Sequence, residues 1–266
     1  MKMIKVVVSG ACGKMGREVL KAVMNASTLE LVGAVDTHGD VVDVGTLIGM
    51  APTGVVVTKD LAETLQATGA QVMVDFTRPE AVMGNLRIAI KAGVAPVVGT
   101  TGLTEADREE LRALCAEYKT NVLIAPNFAI GAILMMKFAQ DAAKYMPHVE
   151  IIELHHDQKL DAPSGTALRT AELISENRQK MAQGHPQETE KLAGARGAEM
   201  EGMRIHSVRL PGYVAHQEVI FGALGQTLVI RHDSISRESF MPGVVLACER
   251  VLSLDGLVVG LENILD

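Results

Sequence analysis

The segment Glu153-Leu154-His155-His156-Asp157-Gln158-Lys159-Leu160-Asp161-Ala162-Pro163-Ser164-Gly165-Thr166 concentrates more chemistry than any other part of the chain. Histidine is the side chain whose charge ordinarily changes near neutral pH, so His155 can take or give a proton. Lys159 is a cation that can hold a carboxylate or donate a proton. Ser164, Gly165 and Thr166 offer an N-cap and backbone N–H groups at a helix start, a cradle for an anion. Other readings fit parts of the segment. A His-His-Asp metal site lacks an obvious further ligand, and adjacent histidines on a strand face opposite ways, so no metal is expected. A Ser-His-Asp hydrolase would want a Gly-x-Ser-x-Gly elbow, which Pro163-Ser164-Gly165 does not supply. A plain helix cap accounts for Ser164 and Thr166 but leaves His155, His156 and Lys159 without a role.

A second constellation lies at the start of the chain. The run Ile4–Val8 reads as a strand and leads into Gly10-Ala11-Cys12-Gly13-Lys14-Met15-Gly16, which opens a helix. The GxxGxxG spacing differs from the common GxGxxG, but the demands on it are the same. One glycine makes a tight turn, one lets the backbone approach a pyrophosphate, and one allows close helix–strand packing. Twenty residues past Gly16, the next strand ends at Asp36, whose carboxylate can accept hydrogen bonds from an adenosine ribose. A glycine-rich turn with a solvated strand-end acid is the bland alternative. Asp36 would repel a 2′-phosphate, and Thr37 and His38 bring no arginine beside it, so NADH is favoured. Lys14 can still reach a phosphate, which leaves NADPH open as a second cofactor.

The elements that must position these groups follow from pattern. Strands are expected at Ile4–Val8, Leu31–Val35, Val55–Val57, Val72–Val74, Ala95–Val98 and Val122–Ala125, mostly β-branched and apolar on both faces, as in parallel strands between helix layers. Helices are expected at Met15–Met24, Leu61–Ala67, Glu80–Ala92 and Glu105–Tyr118. Thr104 and Asp107 resemble a capping box, and Gly93 suits a helix C-terminus. After Asn127 the rhythm changes: a helix over Ala129–Tyr145, a strand Val149–His155, a helix Ala167–Asn177, a mobile surface loop Lys180–Gly202, then strands Ile205–Leu210, Glu218–Gly222 and Thr227–His232. Met241–Ser253 reads as a helix, with a tail that returns to the first domain. The fold class is therefore α/β: a Rossmann-like doubly wound parallel sheet plus a second α+β domain with an open mixed sheet. Residues 1–127 form the dinucleotide-binding domain, with 238–266 packing back on it, and residues 128–237 form the substrate-binding and oligomerisation domain.

Composition sets limits on function. A net charge of -7 with no basic stripe, and only 3 % aromatic residues with Trp 0, argues against nucleic-acid binding. The 266 residues are 48 % hydrophobic, ample for a core. Cys12, Cys115 and Cys248 form no CxxC pair and leave an odd one over, which suits a reducing compartment. Met1 to Ser9 leaves no room for a signal peptide. The uncharged run Thr120–Met136 is broken by Asn121, Pro126, Asn127 and Gly131, so no membrane span is expected. These features give a cytoplasmic expectation.

Five ordered motifs carry a family resemblance: Gly10 to Gly16, Asp75-Phe76-Thr77-Arg78-Pro79-Glu80, Gly99-Thr100-Thr101-Gly102, Ala125-Pro126-Asn127-Phe128, and the Glu153–Ala167 segment with its His-His-x-x-Lys-x-Asp-x-Pro-Ser-Gly-Thr element. Together they span nearly the whole chain, which resembles the dihydrodipicolinate reductase family. The resemblance implies reduction of 4-hydroxy-tetrahydrodipicolinate by NADH or NADPH in lysine and diaminopimelate biosynthesis, a homotetramer built through the second domain, and hinge closure. It places Gly99, Thr100, Thr101, Ala125, Pro126, Asn127 and Phe128 around the nicotinamide. It makes His155 a proton donor or acceptor and Lys159 the second donor. It assigns His156, Ser164, Gly165 and Thr166 to the substrate carboxylates. Arg237 resembles a family arginine near the hinge, although a surface ion pair would explain it equally. Where relatives carry Glu followed by Arg, this chain has Asp36 and Thr37. Lys180–Gly202 matches nothing in the pattern. Two rivals stay open: another two-domain dehydrogenase acting on an amino acid or sugar, and a non-catalytic dinucleotide sensor.

Overall fold

Val6, Val7 and Val8 are wholly buried, as are Val72, Met73 and Val74 on the neighbouring strand, the burial that helices on both faces of a sheet impose. The computed structural model describes residues 2–38 and 41–265; Met1, Gly39, Asp40 and Asp266 lie outside the described residues.

The chain begins with β1 (Ile4–Ser9), α1 (Lys14–Asn25) and β2 (Leu29–Val35). A short α2 (Val44–Leu47) and β3 (Val57–Thr58) follow, then α3 (Leu61–Thr68), β4 (Val72–Asp75), α4 (Pro79–Lys91), β5 (Ala95–Val98), α5 (Glu105–Tyr118) and β6 (Val122–Ile124). Next come α6 (Ile130–Ala143), β7 (His148–His155), α7 (Gly165–Ser175), β8 (Ala198–Met200), β9 (Met203–Arg209), β10 (Ala215–Ala223) and β11 (Gln226–Ser234), and the chain closes with α8 (Met241–Arg250) and β12 (Leu257–Val259). Local chemistry sets many of these boundaries. Asp60 caps α3 by accepting from Glu63 N–H at 2.9 Å, and Gly69 ends that helix in the left-handed region. Pro79 occupies the first turn of α4, where its missing N–H costs nothing. Thr104 and Asp107 form the expected capping box on α5: Asp107 N–H donates to Thr104 Oγ1 at 3.2 Å, and Thr104 N–H donates to Asp107 Oδ2 at 2.8 Å.

Contacts divide the chain into two units, Met1–Ala129 with Arg237–Asp266, and Ile130–Ser236. The first holds a parallel seven-stranded sheet in the order β12-β6-β5-β4-β1-β2-β3. The second holds a five-stranded mixed sheet in the order β11-β10-β7-β9-β8, with β7 and β9 parallel and the other pairs antiparallel. One face of this second sheet buries Val149, Ile151, Met203, Ile205, Val219 and Phe221, and the helices beside it bury Ala132, Ile133, Ala167 and Ile174. Residues of opposite parity on the strands, such as Glu150, Ile152, Arg204 and Glu218, stay partly exposed.

Several expected boundaries need correction. The Lys180–Gly202 stretch is not a featureless loop. It contains β8, and it is tied down by Arg178 Nη2, which donates to Met181 O at 2.9 Å, and by Gln183, which both donates to and accepts from the backbone of Val149 at 2.9 and 2.6 Å. The strand expected at Val55–Val57 starts only at Val57, because Asp43 takes the N–H groups of Thr53 and Gly54 at 3.0 and 2.7 Å and fixes a loop there. Helix α7 begins two residues before the expected Ala167, at the residue after its cap. The final helix ends at Arg250 and tightens into a 3-10 turn over Val251–Ser253. The tail belongs to the first unit, and it contributes a strand the sequence pattern did not reveal, β12 beside β6.

Candidate active site

In the first unit, the glycine loop leaves β1 at the carboxyl edge of the parallel strands. Gly10 adopts φ +81, and a Cβ on it would meet Phe76 O at 2.5 Å, so only glycine fits there. Gly10 N–H and Ala11 N–H both donate to Val35 O, at 2.9 and 3.2 Å, which fastens the loop to the end of β2. Gly13 is the N-cap of α1 and supplies no side chain, so the helix start keeps backbone donors for an anion. A Cβ at Gly13 would touch only Gly10 O, at 3.2 Å, so its outer side is open to an approaching group. Lys14 is exposed beside it, and Met15 is half-buried. Asp36 stands against this loop: Cys12 N–H donates to its Oδ2 and His38 N–H to its Oδ1, each at 2.9 Å. Burial and the Asp36 charge push the Cys12 thiol up, with Arg17 working the other way, so Cys12 is not an activated thiolate.

The other expected cofactor residues lie on the same edge. Asp75, at the end of β4 and wholly buried, organises them. It accepts from Thr77 Oγ1 at 2.7 Å, Thr100 Oγ1 at 2.8 Å and Asn85 Nδ2 at 2.8 Å. Thr77 N–H in turn donates to Thr100 Oγ1 at 2.8 Å. Thr100 is thus committed to the loop's own architecture, whereas Thr101 is exposed. A Cβ at Gly99 would strike the Phe76 ring at 2.1 Å, and that ring leans on Phe128 with centroids 5.6 Å apart. Ala125 and Phe128 are buried. Pro126 is exposed, and Asn127 Oδ1 accepts from Ala129 N–H at 2.8 Å.

In the second unit, β7 delivers Glu153 and His155 to the same face, two residues apart. Glu153 is wholly buried. It accepts from His155 Nδ1, from Arg209 Nη1 and Nη2 at 2.8 and 2.7 Å, and from Ser164 N–H at 3.3 Å. Arg209 Nη2 also donates to Asp161 O at 2.7 Å, and Asp161 Oδ1 accepts from Lys159 Nζ at 2.7 Å. His155, Lys159 and the start of α7 therefore belong to one hydrogen-bonded assembly, and His156 sits exposed next to it. Ser164 is buried; its Oγ accepts from Ala167 N–H at 3.2 Å and caps α7. Gly165 follows it as the first residue of α7, and a Cβ there would meet nothing within 4 Å. No group of three His, Cys, Asp or Glu among the described residues is placed to hold a metal ion.

Burial works to raise the Glu153 carboxyl, but hydrogen bonds from His155, Arg209 and Ser207 outweigh it and hold the group down at about 2. A depressed carboxylate contributes stability above its ordinary value of 4.5 and loses it as pH falls toward about 2. Urea unfolding followed from pH 5 to pH 3 should therefore show wild-type stability falling more steeply than that of Glu153→Gln. Parallel slopes would contradict the ionised, buried state of Glu153.

Sequence reasoning missed Glu153, Arg209 and Asp75 as site residues. A cue existed for the first two. Met203, Ile205, Ser207 and Arg209 share one strand face, so a cation falls on the inward parity of β9, opposite an acid on the inward parity of β7.

A parallel sheet with a glycine loop under an uncapped helix, a carboxylate at the end of the second strand, and a separate mixed-sheet unit bearing histidine and lysine defines the class: a two-domain pyridine-nucleotide-dependent reductase of Rossmann build. Comparison with known proteins narrows the class. Residues 4–128 match the model for the N-terminus of dihydrodipicolinate reductase, and residues 131–265 match the model for its C-terminus. This chain belongs to the dihydrodipicolinate reductase family. It is 59 % identical over 267 residues to 4-hydroxy-tetrahydrodipicolinate reductase of Desulfitobacterium hafniense, covering 100 % of both chains. The identity is 60 % over 264 residues to the enzyme of that name from Halalkalibacterium halodurans, covering 99 % of this chain and 100 % of that one. A solved structure, dipicolinate-bound dihydrodipicolinate reductase from Paenisporosarcina sp. TG-14, superposes with a TM-score of 0.89 at 47 % identity, covering 99 % of this chain and 100 % of that one. Matches of this extent support the family reading over an amino-acid or sugar dehydrogenase and over a non-catalytic sensor.

Proposed function

We propose that this chain reduces 4-hydroxy-tetrahydrodipicolinate, or the dihydrodipicolinate formed when it loses water, to tetrahydrodipicolinate with NADH or NADPH. The observation that carries the reading is the Glu153–Arg209 assembly, which unites a histidine, a lysine and a helix start in one place. These are the groups a small cyclic dicarboxylate needs. The relative solved with dipicolinate bound has a ligand of that chemistry.

The first unit fits a dinucleotide. The α1 start and the open side of Gly13 would take the pyrophosphate, Lys14 and Met15 would flank it, and Asp36 would take the adenosine ribose. The segments Gly99 to Thr101 and Ala125 to Phe128 would line the nicotinamide. When bound, the cofactor supplies the hydride that reaches C4 of the conjugated imine. In the second unit, Gly165 and Thr166 at the α7 start receive one substrate carboxylate, and Ser164 shapes that cradle as its cap. Lys159 exchanges its ion pair with Asp161 for a second carboxylate, with His156 beside it. His155 then gives a proton to C3 of the enamine left by hydride addition, and Lys159 assists. In the same reading the protein is a cytoplasmic homotetramer assembled through the second unit, which size-exclusion chromatography with light scattering tests.

A coupled assay, fed by the synthase that makes the substrate and read as loss of reduced cofactor, tests the function. Turnover with either cofactor, inhibited by pyridine-2,6-dicarboxylate, is expected; no oxidation of either would end the proposal. Asp36 carries the cofactor preference. It already holds Cys12 N–H and His38 N–H, so Asp36→Ala should loosen the loop for both cofactors. The added loss of a charged acceptor for the ribose diol should weaken NADH by about tenfold more than NADPH. Equal losses in fluorescence titrations would refute this account of selectivity.

A further inference from the structure

Glu153 and Asp75 are the two carboxylates fully removed from solvent among the described residues, and of the two only Glu153 is paired with an arginine, the partly buried Arg209. Both Glu153 oxygens serve more than one donor. Oε1 accepts from Ser164 N–H and Arg209 Nη2, while Oε2 accepts from Arg209 Nη1 and His155 Nδ1. An ionised carboxylate can only accept, so the nitrogen of His155 that faces it must carry hydrogen. The arginine fork occupies both oxygens and prevents the arrangement from reversing.

We propose that Glu153 and Arg209 are a positioning pair that fixes the tautomer of His155, leaving Nε2 as the nitrogen that exchanges a proton with the substrate. The proposal rests on the reading that His155 is the acid of the reduction. Neutral His155 then holds its proton on Nδ1. The imidazolium carries a second proton on Nε2, and that is the one delivered to carbon. Glu153 itself neither gains nor loses a proton in the step. Arg209 extends the same control to the other side of the site, because its Nη2 also holds the Asp161 carbonyl and Asp161 holds Lys159. A role in stability alone explains the pair poorly. Burying two charges seldom stabilises a fold more than an apolar pair of similar volume would, and Arg209 Nε is buried with no partner. What an apolar pair could not do is orient an imidazole.

The test is nitrogen NMR on protein labelled with 15N-histidine, with His155 assigned by the signal lost in His155→Ala. In the wild type, the neutral ring should show a protonated Nδ1 and a bare Nε2. In Glu153→Gln the side-chain amide presents N–H to Nδ1, so the proton should move to Nε2. That variant should lose about 100-fold in kcat, while substrate KM and NADH affinity change by less than about threefold. Wild-type His155 protonated on Nε2, or Glu153→Gln turning over at the wild-type rate, overturns the proposal. Should Glu153→Gln fail to fold, the wild-type spectrum alone decides. Because the spectrum needs no turnover, a protein with the expected tautomer and no reductase activity would refute the functional reading while the Glu153-fixed tautomer of His155 stood.

Discussion

Lys159→Ala is expected to lower kcat by about 1000-fold and to raise substrate KM as well, because one side chain performs two tasks. In the resting protein its ammonium is neutralised by Asp161 at 2.7 Å, and the side chain is mostly withdrawn from solvent. A dicarboxylate replaces Asp161 as its partner, so the alanine variant loses attraction for the substrate and also leaves Asp161 as a bare negative charge beside an incoming anion. That second effect belongs to ground-state binding and appears in KM. The loss of a proton source belongs to the transition state and appears in kcat. Lys159→Arg separates them. Its guanidinium keeps the charge but does not deprotonate in the working range, so KM should recover while kcat stays low. His155→Ala should lower kcat by about 100-fold or more with little change in KM. Steady-state kinetics on the three variants, with NADH affinity measured by fluorescence as a control, decide the matter. Near-normal turnover in both alanine variants would remove the proposed roles.

The difference between what the sequence made legible and what it hid is physical. The strand Ala95–Val98 and the helix Glu105–Tyr118 were placed residue for residue, because a β-branched run between helices and a capping box are local signals. β8 and β12 were hidden because each is three residues long and exists through its neighbour, Ala198–Met200 through β9 and Leu257–Val259 through β6. Such strands have no periodicity of their own to read. The same division runs through the site. The Glu153 to Thr166 motif was legible because its groups are contiguous in sequence. Arg209 was not, because its partnership with Glu153 depends on the β7–β9 register, which sets Glu153 opposite Ser207 and brings Arg209 in from two residues further along. Asp75 was hidden in another way. Its neighbours in sequence suggested a motif, but its task is to hold Thr100, which arrives from the following strand.

That division bears on the glycine loop, where sequence named three glycines for three duties and the structure gives them different weights. A Cβ at Gly16 would lie 2.0 Å from Gly10 O and 2.9 Å from Ala11 Cα, so the obstruction is backbone. The loop cannot retreat, since Gly10 and Ala11 are bonded to Val35 O and Cys12 to Asp36. Gly16→Ala should therefore cost about 3 kcal/mol of stability or more, and by displacing α1 from the loop it should remove most of the NADH affinity. Gly13→Ala is the informative contrast. Its Cβ would meet one atom, at 3.2 Å, and would otherwise project into the space proposed for the pyrophosphate. That variant should unfold in urea close to the wild-type midpoint and still bind NADH at least about tenfold more weakly. If Gly16→Ala kept both its midpoint and its affinity, helix packing would not set the loop. If Gly13→Ala bound NADH normally, the phosphates would have to rest somewhere other than the start of α1.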